Sequence, residues 1–129
     1  MATIATQLPT VAAPITPTYT AVTAADKFTA QPGTTYMISY VNGATPGTAT
    51  LWVLEQAAVP PTGAQTPAIP TGATKWSDAQ ISATLGASAS RIIVLDKSII
   101  GNFIDSTGFV NLKHNGTLTT ITVAIFGPF

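Results

Sequence analysis

Apolar and polar positions alternate along the last part of the chain, on both sides of an Asn-Gly pair. Residues 109–114 and 118–126 each show a period of two, and Asn115-Gly116 lies between them. Asn-Gly is the strongest short signal for a β-hairpin, because a type I′ turn needs positive φ at both central residues. We therefore predict a hairpin with this pair at its tip and with Val110 facing Ile121. Its register puts one apolar set on one face, namely Val110, Leu112, Ile121 and Val123, and leaves a mostly polar set on the other, namely Phe109, Asn111, Lys113, Thr120 and Thr122.

Similar short alternating or β-branched runs predict further strands. They are Tyr19–Val22, Thr34–Asn42, Thr48–Glu55 and Ala89–Leu95, and Ile81–Leu85 is expected to form either a strand or a turn. Both faces of the 48–55 strand are apolar, which indicates a central strand covered twice or a strand at an interface.

Two segments between these strands are predicted to be irregular. Residues 24–33 are expected to form a loop that ends in a Pro32-Gly33 turn, with Asp26 and Lys27 solvated and Phe28 at the edge of the core. Residues 96–105 are expected to form one helical turn that places three apolar side chains in the core, namely Ile99, Ile100 and Phe103.

Seven or eight short strands, turns of Gly, Pro and Asn, and almost no helix predict an all-β fold. We expect a single-domain β-sandwich of the jelly-roll or immunoglobulin-like kind at residues 19–129, preceded by an extended N-terminal arm at residues 1–18. The absence of a Cys…Trp…Cys pattern argues against a true immunoglobulin domain. A long proline-rich loop is predicted at residues 56–74.

The arm and the long loop carry apolar residues that are poorly suited to contact with water. The arm is either a frayed terminus or a segment laid along a neighbouring subunit. Trp76 is expected to hold the long loop on the sheet rather than to stack on a sugar. The residues predicted to make interactions are Ile4, Leu8, Val11, Ile15, Trp52, Pro60, Pro61, Pro67, Ile69, Pro70 and Trp76.

The composition narrows the choice of partners. Only 8% of the residues are charged, and five basic residues balance five acidic ones, so nucleic acid and anionic membranes are not expected as primary partners. Low net charge also weakens repulsion between copies, which suits a protein packed against neighbours. The N-terminus lacks the features of a secretory signal, and synthesis in a cytoplasm is expected.

No catalytic, cofactor-binding or metal-binding residues are predicted, and we expect no enzyme activity. The chain has no cysteine, and its single histidine, His114, is placed at the hairpin turn as a structural or surface residue. Asp96 and Asp105 flank a compact loop, and their carboxylates are of the type that binds Ca²⁺, but capping of a helix end or a turn explains both residues more simply.

Several stretches together resemble a known group of proteins. They are Ala24-Ala25-Asp26-Lys27-Phe28-Thr29, Pro32-Gly33, the strand Tyr36–Val41, Asn42-Gly43, Phe103, Gly108–Lys113 and Leu118–Ile125. This pattern is similar to that of small structural proteins from the head-gene clusters of tailed bacteriophages. The resemblance implies a virion protein, most plausibly a capsid decoration (cement) protein. Such a protein binds the major capsid protein at capsomer junctions on the capsid exterior, often as a homotrimer.

Two other functions are considered beside decoration. The tryptophans and tyrosines would suit a carbohydrate- or receptor-binding module of a tail fibre or adhesin if they lay on an exposed groove. Another virion role, as a head–tail connector or a tail-tube subunit, would also use a β-sandwich without catalytic groups.

Overall fold

The chain folds as an all-β sandwich of two sheets. The computed structural model describes residues 2–10, 12–44, 47–54 and 81–129, with the backbone alone at 81–83. Sheet 1 contains, in spatial order, β1 (Ala2–Thr3), β4 (Ala25–Thr29), β9 (Phe109–Gly116), β6 (Ala49–Leu54) and β7 (Ile81–Leu85). Sheet 2 contains β2 (Thr6–Gln7), β10 (Ile121–Phe126), β5 (Tyr36–Asn42) and β8 (Ser90–Leu95), and β3 (Thr20–Ala21) also pairs with β10.

Strands that follow each other in sequence mostly lie in opposite sheets. The chain crosses between the sheets at each step from β4 to β6 and again at each step from β7 to β10. The core is therefore built from inward positions contributed alternately by the two layers. It includes large side chains that are fully buried, such as Tyr36, Ile38, Phe28 and Leu51.

The predicted hairpin at Asn115-Gly116 is wrong. β9 continues through both residues, which pair with Thr50 and Ala49 of β6, and β10 pairs with β5 instead of β9. The predicted inward set is correct, because Val110, Leu112, Ile121 and Val123 are all buried. A period of two fixes which side of a strand faces the core, but two strands facing one core from opposite sheets show the same pattern.

The predicted loop at residues 24–33 contains a strand. β4 pairs antiparallel with β9, Phe28 is fully buried, and Asp26 is buried beside it instead of solvated. Ala, Asp and Lys are all depleted in strands, which is why the composition favoured a loop, but tertiary packing overrides that preference here. The turn at Pro32-Gly33 is confirmed, with Gly33 at φ 76°.

The remaining predicted elements are confirmed with small shifts in their bounds. Strands are present within all five of the other predicted segments, and β6 is an internal strand of its sheet. The compact segment after β8 forms a 3₁₀ turn at Ile100–Asn102, with Ile100 and Phe103 buried and Ile99 packed against the core. Among the described residues, no helix has the length and apolar character that a membrane crossing requires.

The N-terminal residues belong to the sandwich. β1 runs parallel to β4 at the edge of sheet 1, β2 runs parallel to β10 at the edge of sheet 2, and Ile4 between them is buried in the core. The sandwich therefore begins at Ala2 and not at residue 19. The described residues from 8 to 18 are exposed, except for the half-buried Pro9. The proline-rich loop predicted at 56–74 lies outside the described residues.

Candidate functional site

A cluster of polar side chains lies inside the sandwich. Asp26 of β4, His114 of β9 and Tyr40 of β5 all occupy inward positions of their strands and are 1%, 3% and 0% exposed. The pairing of β4 with β9 brings Asp26 and His114 together, and β5 supplies Tyr40 from the opposite sheet. This cluster is the only place where the described residues bury ionisable side chains in contact with one another.

The hydrogen bonds of His114 define which ring nitrogen carries the proton, and its burial sets the direction of its pKa shift. Its Nδ1 lies 2.7 Å from the carbonyl oxygen of Thr23, which only accepts, so Nδ1 carries the proton and donates. Its Nε2 lies 2.8 Å from the Tyr40 hydroxyl, which donates to it. Burial lowers the pKa of His114, and this outweighs the opposing effects of the Thr23 carbonyl and of Asp26. The ring is therefore neutral at pH 7, with both nitrogens hydrogen-bonded.

Asp26 is held as a carboxylate by donors from three directions. Its oxygens accept hydrogen bonds from the backbone N–H of Ala2 at 3.0 Å, the backbone N–H of Thr23 at 2.8 Å and the Thr23 hydroxyl. Burial raises the pKa of Asp26, but these donors, together with nearby His114, outweigh it and the pKa lies below its usual value. Asp26 Oδ2 is 3.5 Å from His114 Nδ1, so it would face a positive charge only if the imidazole were protonated.

The cluster contains the same kinds of side chain as a proton relay, namely a carboxylate, an imidazole and a hydroxyl, but all three are buried and out of reach of a substrate. Activation of a nucleophile requires a hydroxyl that a substrate can reach, next to a base with a free lone pair. Here the hydroxyl belongs to the fully buried Tyr40, whose pKa burial and Asp26 raise, and the base His114 already accepts from it. The arrangement joins β4, β5, β9 and the N-terminus, which is a structural role.

His114 was predicted at a turn, and that placement is wrong because β9 continues past it. The signal for its burial is present in the sequence, since His114 continues the inward series of Val110 and Leu112 with a period of two. Asp26 is likewise two residues from the buried Phe28. The sequence does not predict that these two residues are in contact, because the contact depends on a strand pairing between distant segments.

Asp96 and Asp105 organise turns, as predicted. Asp96 accepts from the backbone and the hydroxyl of Ser98, while Asp105 accepts from Thr107, Phe109 and Asn111. Burial alone raises the pKa of Asp105, but these donors hold it well below its usual value. Across the described parts of the chain, no three or more His, Cys, Asp or Glu side chains are grouped so that they could hold a metal ion.

The outer face of sheet 2 exposes an apolar surface. We call Met37, Val41, Ile92 and Val94 the β5–β8 patch. Ile92 and Val94 lie on the edge strand β8 and are 60% and 50% exposed, Val41 is also exposed, and Met37 is half-buried. Strand register places Val94 beside Met37 and Ile92 beside Ser39, whose hydroxyl is 3.0 Å from that of Tyr19.

The outer face of sheet 1 is different in character. It carries Lys27, Asn111 and Lys113, and the Lys27 ammonium lies 4.0 Å from the centre of the Phe109 ring. The β5–β8 patch has no ionisable side chain. An exposed and uncharged apolar surface on an edge strand is the kind of surface that proteins normally cover, either with a partner or with more of their own chain.

The residues predicted to make interactions fall into three groups. Ile4 is packed in the core and Trp52 is 6% exposed, so neither side chain lies on the outer surface of the sandwich. Leu8 and Ile15 are exposed, as an interaction surface requires. Those outside the described residues are Val11, Pro60, Pro61, Pro67, Ile69, Pro70 and Trp76. The β5–β8 patch was not predicted, because residues 92–95 are all apolar and show no alternation that separates the inward side from the outward side.

Comparison with known proteins gives no relative for this fold and site, because no family model, curated protein or solved structure matches the chain significantly.

Proposed function

We propose that this chain is a non-enzymatic structural protein of a bacteriophage virion, a decoration protein that binds the outside of the head and stabilises it. The observation that carries the proposal is the β5–β8 patch, which exposes Ile92 and Val94 on an uncharged sheet face. Burying such a surface against another protein is favourable, at roughly 25 cal/mol per Å² of apolar area. The partner proposed is the major capsid protein at capsomer junctions.

The polar interior supports a structural role. The hydrogen-bonding groups of Asp26, His114 and Tyr40 are satisfied by one another, by Thr23 and by Ala2. A closed polar cluster of this kind favours a single rigid arrangement of strands and presents nothing to a substrate. Rigid attachment at many equivalent sites on a lattice gives high avidity from individually weak contacts.

The burial of Trp52 disfavours the carbohydrate-binding alternative at that residue, because a sugar ring needs an exposed aromatic face. Attachment through the β5–β8 patch is compatible with a homo-oligomer, and a trimer on the capsid exterior is the form that we propose.

Co-sedimentation tests the proposal. Shells assembled from the major capsid protein encoded alongside this chain, without decoration, are mixed with the purified protein and pelleted. We expect the protein to pellet with the shells and to raise their resistance to heat. Failure to pellet, or pelleting without any gain in heat resistance, would contradict a decoration role.

A matched pair of variants tests the surface. Ile92→Glu places a charge in the β5–β8 patch, and Thr29→Glu places the same charge at an exposed position of sheet 1. We expect Ile92→Glu to weaken binding to the shells at least tenfold and Thr29→Glu to leave it unchanged. Equal binding by both variants would show that the patch is not the attachment surface. Circular dichroism and thermal unfolding confirm that both variants are folded.

A further inference from the structure

The first described residues of the chain form a small unit that covers the core between β4 of sheet 1 and β10 of sheet 2. We call residues 2–7 the N-terminal segment. Its β1 lies at the edge of sheet 1 beside β4, and its β2 lies at the edge of sheet 2 beside β10. Ile4, between the two strands, is buried among core residues of both layers. The groove that receives the segment is therefore shaped by β4 and β10.

Few contacts hold the N-terminal segment in this groove. The Ile4 N–H donates to the Lys27 carbonyl at 2.8 Å, the Gly127 N–H donates to the Gln7 carbonyl at 2.8 Å, and the Ala2 N–H donates to Asp26. Together with the buried Ile4 side chain and the parallel pairings of β1 with β4 and of β2 with β10, these are contacts to fixed positions of β4, β10 and the adjoining Gly127. The same segment from a second copy would make each of them equally well.

The described residues of the connection from this segment to the rest of the sandwich are exposed, apart from the half-buried Pro9. In residues 8–18, three prolines favour an extended chain, and Leu8 and Ile15 are 45% and 40% exposed. The ties among the described residues here are a Thr10–Ala13 turn and the pairing of the Gln7 amide with the backbone of Thr18. Opened into a polyproline II conformation at ~3.1 Å per residue, this connection reaches roughly 34 Å.

We infer that the N-terminal segment is exchanged between copies of this chain, so that residues 2–7 of one copy occupy the groove of another. Exchange preserves the contacts of the segment with the groove, so the free-energy difference is set by the connection, by new contacts between the copies and by the entropy cost of association. Two features of the connection favour the exchanged form. Its prolines oppose a compact fold-back, and its exposed Leu8 and Ile15 become covered between neighbouring copies. This inference does not depend on attachment to a capsid.

Cysteine pairing tests the exchange directly, because the natural chain has no cysteine. Thr3 and Lys27 are directly paired between β1 and β4, at a spacing that a disulfide can bridge. One preparation carries Thr3→Cys and a second carries Lys27→Cys. The two are mixed in denaturant, refolded together and oxidised. We expect a disulfide-linked dimer containing one chain of each kind, detected by non-reducing electrophoresis and mass spectrometry.

The control replaces Lys27→Cys with Thr29→Cys, two residues further along β4 and out of register with Thr3. We expect at least fivefold less mixed dimer from this pair. The double variant with both Thr3→Cys and Lys27→Cys in one chain tests whether the segment lies in the groove of its own chain. If it closes within single chains and migrates as an oxidised monomer, while the mixed preparations give no more linked dimer than the control, the segment stays on its own copy and the inference is overturned.

Discussion

Three buried polar residues, Asp26, Tyr40 and His114, connect strands that are distant in sequence. The Tyr40 hydroxyl and His114 Nε2 satisfy each other. Asp26 is satisfied by Ala2 and Thr23, and the Thr23 carbonyl also accepts from His114 Nδ1, which brings the carboxylate within 3.5 Å of the ring. Buried polar groups cost free energy when they lose a partner. The cluster therefore makes the correct pairing of β4 with β9 more favourable than a slipped one.

Removing one hydroxyl measures this coupling. Tyr40→Phe leaves His114 Nε2 buried without a donor, and we expect the free energy of unfolding to fall by about 1–3 kcal/mol. Tyr19→Phe deletes the same atom at a position that is 39% exposed, where the hydroxyl is hydrogen-bonded to Ser39 and is open to water, and should lower it by less than about 1 kcal/mol. Urea denaturation of both variants makes the comparison. Equal effects would mean that the buried hydroxyl contributes nothing beyond a surface contact.

The stability should also depend on pH through His114. Its pKa in the folded protein lies below the usual 6.5, so the unfolded chain binds more protons in this range and stability is lost as the pH falls below about 6.5. The slope cannot exceed about 1.4 kcal/mol per pH unit for one group. Because His114 is the only histidine, His114→Gln should remove the slope between pH 7 and pH 5. Urea midpoints that do not change with pH in the natural chain would contradict this.

A second loss of stability is expected at lower pH. The folded-state pKa values of Asp26, Asp96 and Asp105 all lie below 3.8, so their contributions are present above that value and are lost as the pH falls through the folded values. Acid titration followed by circular dichroism should show unfolding that begins below about pH 4. Full stability at pH 2 would show that these carboxylates are not held as the structure indicates.

At the scale of elements, the Asn115-Gly116 pair has a role different from that of a hairpin tip. Gly116 ends β9 at φ +99°, and a Cβ there would meet the Thr48 carbonyl oxygen. Gly116→Ala should therefore destabilise the fold by roughly 1–3 kcal/mol. Gly101→Ala, in the 3₁₀ turn with nothing near its Cβ, should be neutral or slightly stabilising. Thermal unfolding of the two variants distinguishes them, and equal midpoints would contradict this reading of β9.

The N-terminal segment offers a second comparison between elements. Ile4→Ala removes a buried side chain and should lower the free energy of unfolding by roughly 2–5 kcal/mol, whereas Leu8→Ala, at an exposed position, should change it by less than about 0.5 kcal/mol. Denaturant unfolding measures both. A small effect at Ile4 would mean that the segment is not part of the core.

Most strands were predictable from the sequence, but β1, β2 and β4 were not, and neither was the pairing of the strands. The alternation of Val110 with Leu112, and of Ile121 with Val123, correctly gives the inward side of each strand. The order of strands in a sheet depends on contacts between distant segments, which the sequence does not reveal. The prediction therefore relied on the local Asn-Gly signal and paired β9 with the wrong strand. The same limitation hid the buried cluster, because β4 was predicted as a loop and His114 was placed at a turn.

At the scale of the whole molecule, the two outer faces differ. Sheet 1 carries Lys27, Asn111 and Lys113 on its outer face, whereas sheet 2 presents the β5–β8 patch on β5 and on the edge strand β8. A chain with only 8% charged residues and no net charge has little electrostatic protection against association through such a face. These features suit a protein that functions in contact with others, and they underlie the proposed attachment to a capsid.

The most direct test is a cryo-electron microscopy reconstruction of the intact particle that carries this protein. We expect its density on the outside of the shell at capsomer junctions, with the β5–β8 patch turned toward the major capsid protein and Ile92 and Val94 buried in the contact. Density confined to the tail or to the head–tail junction, or density on the shell with Ile92 and Val94 facing solvent, would contradict the proposed function.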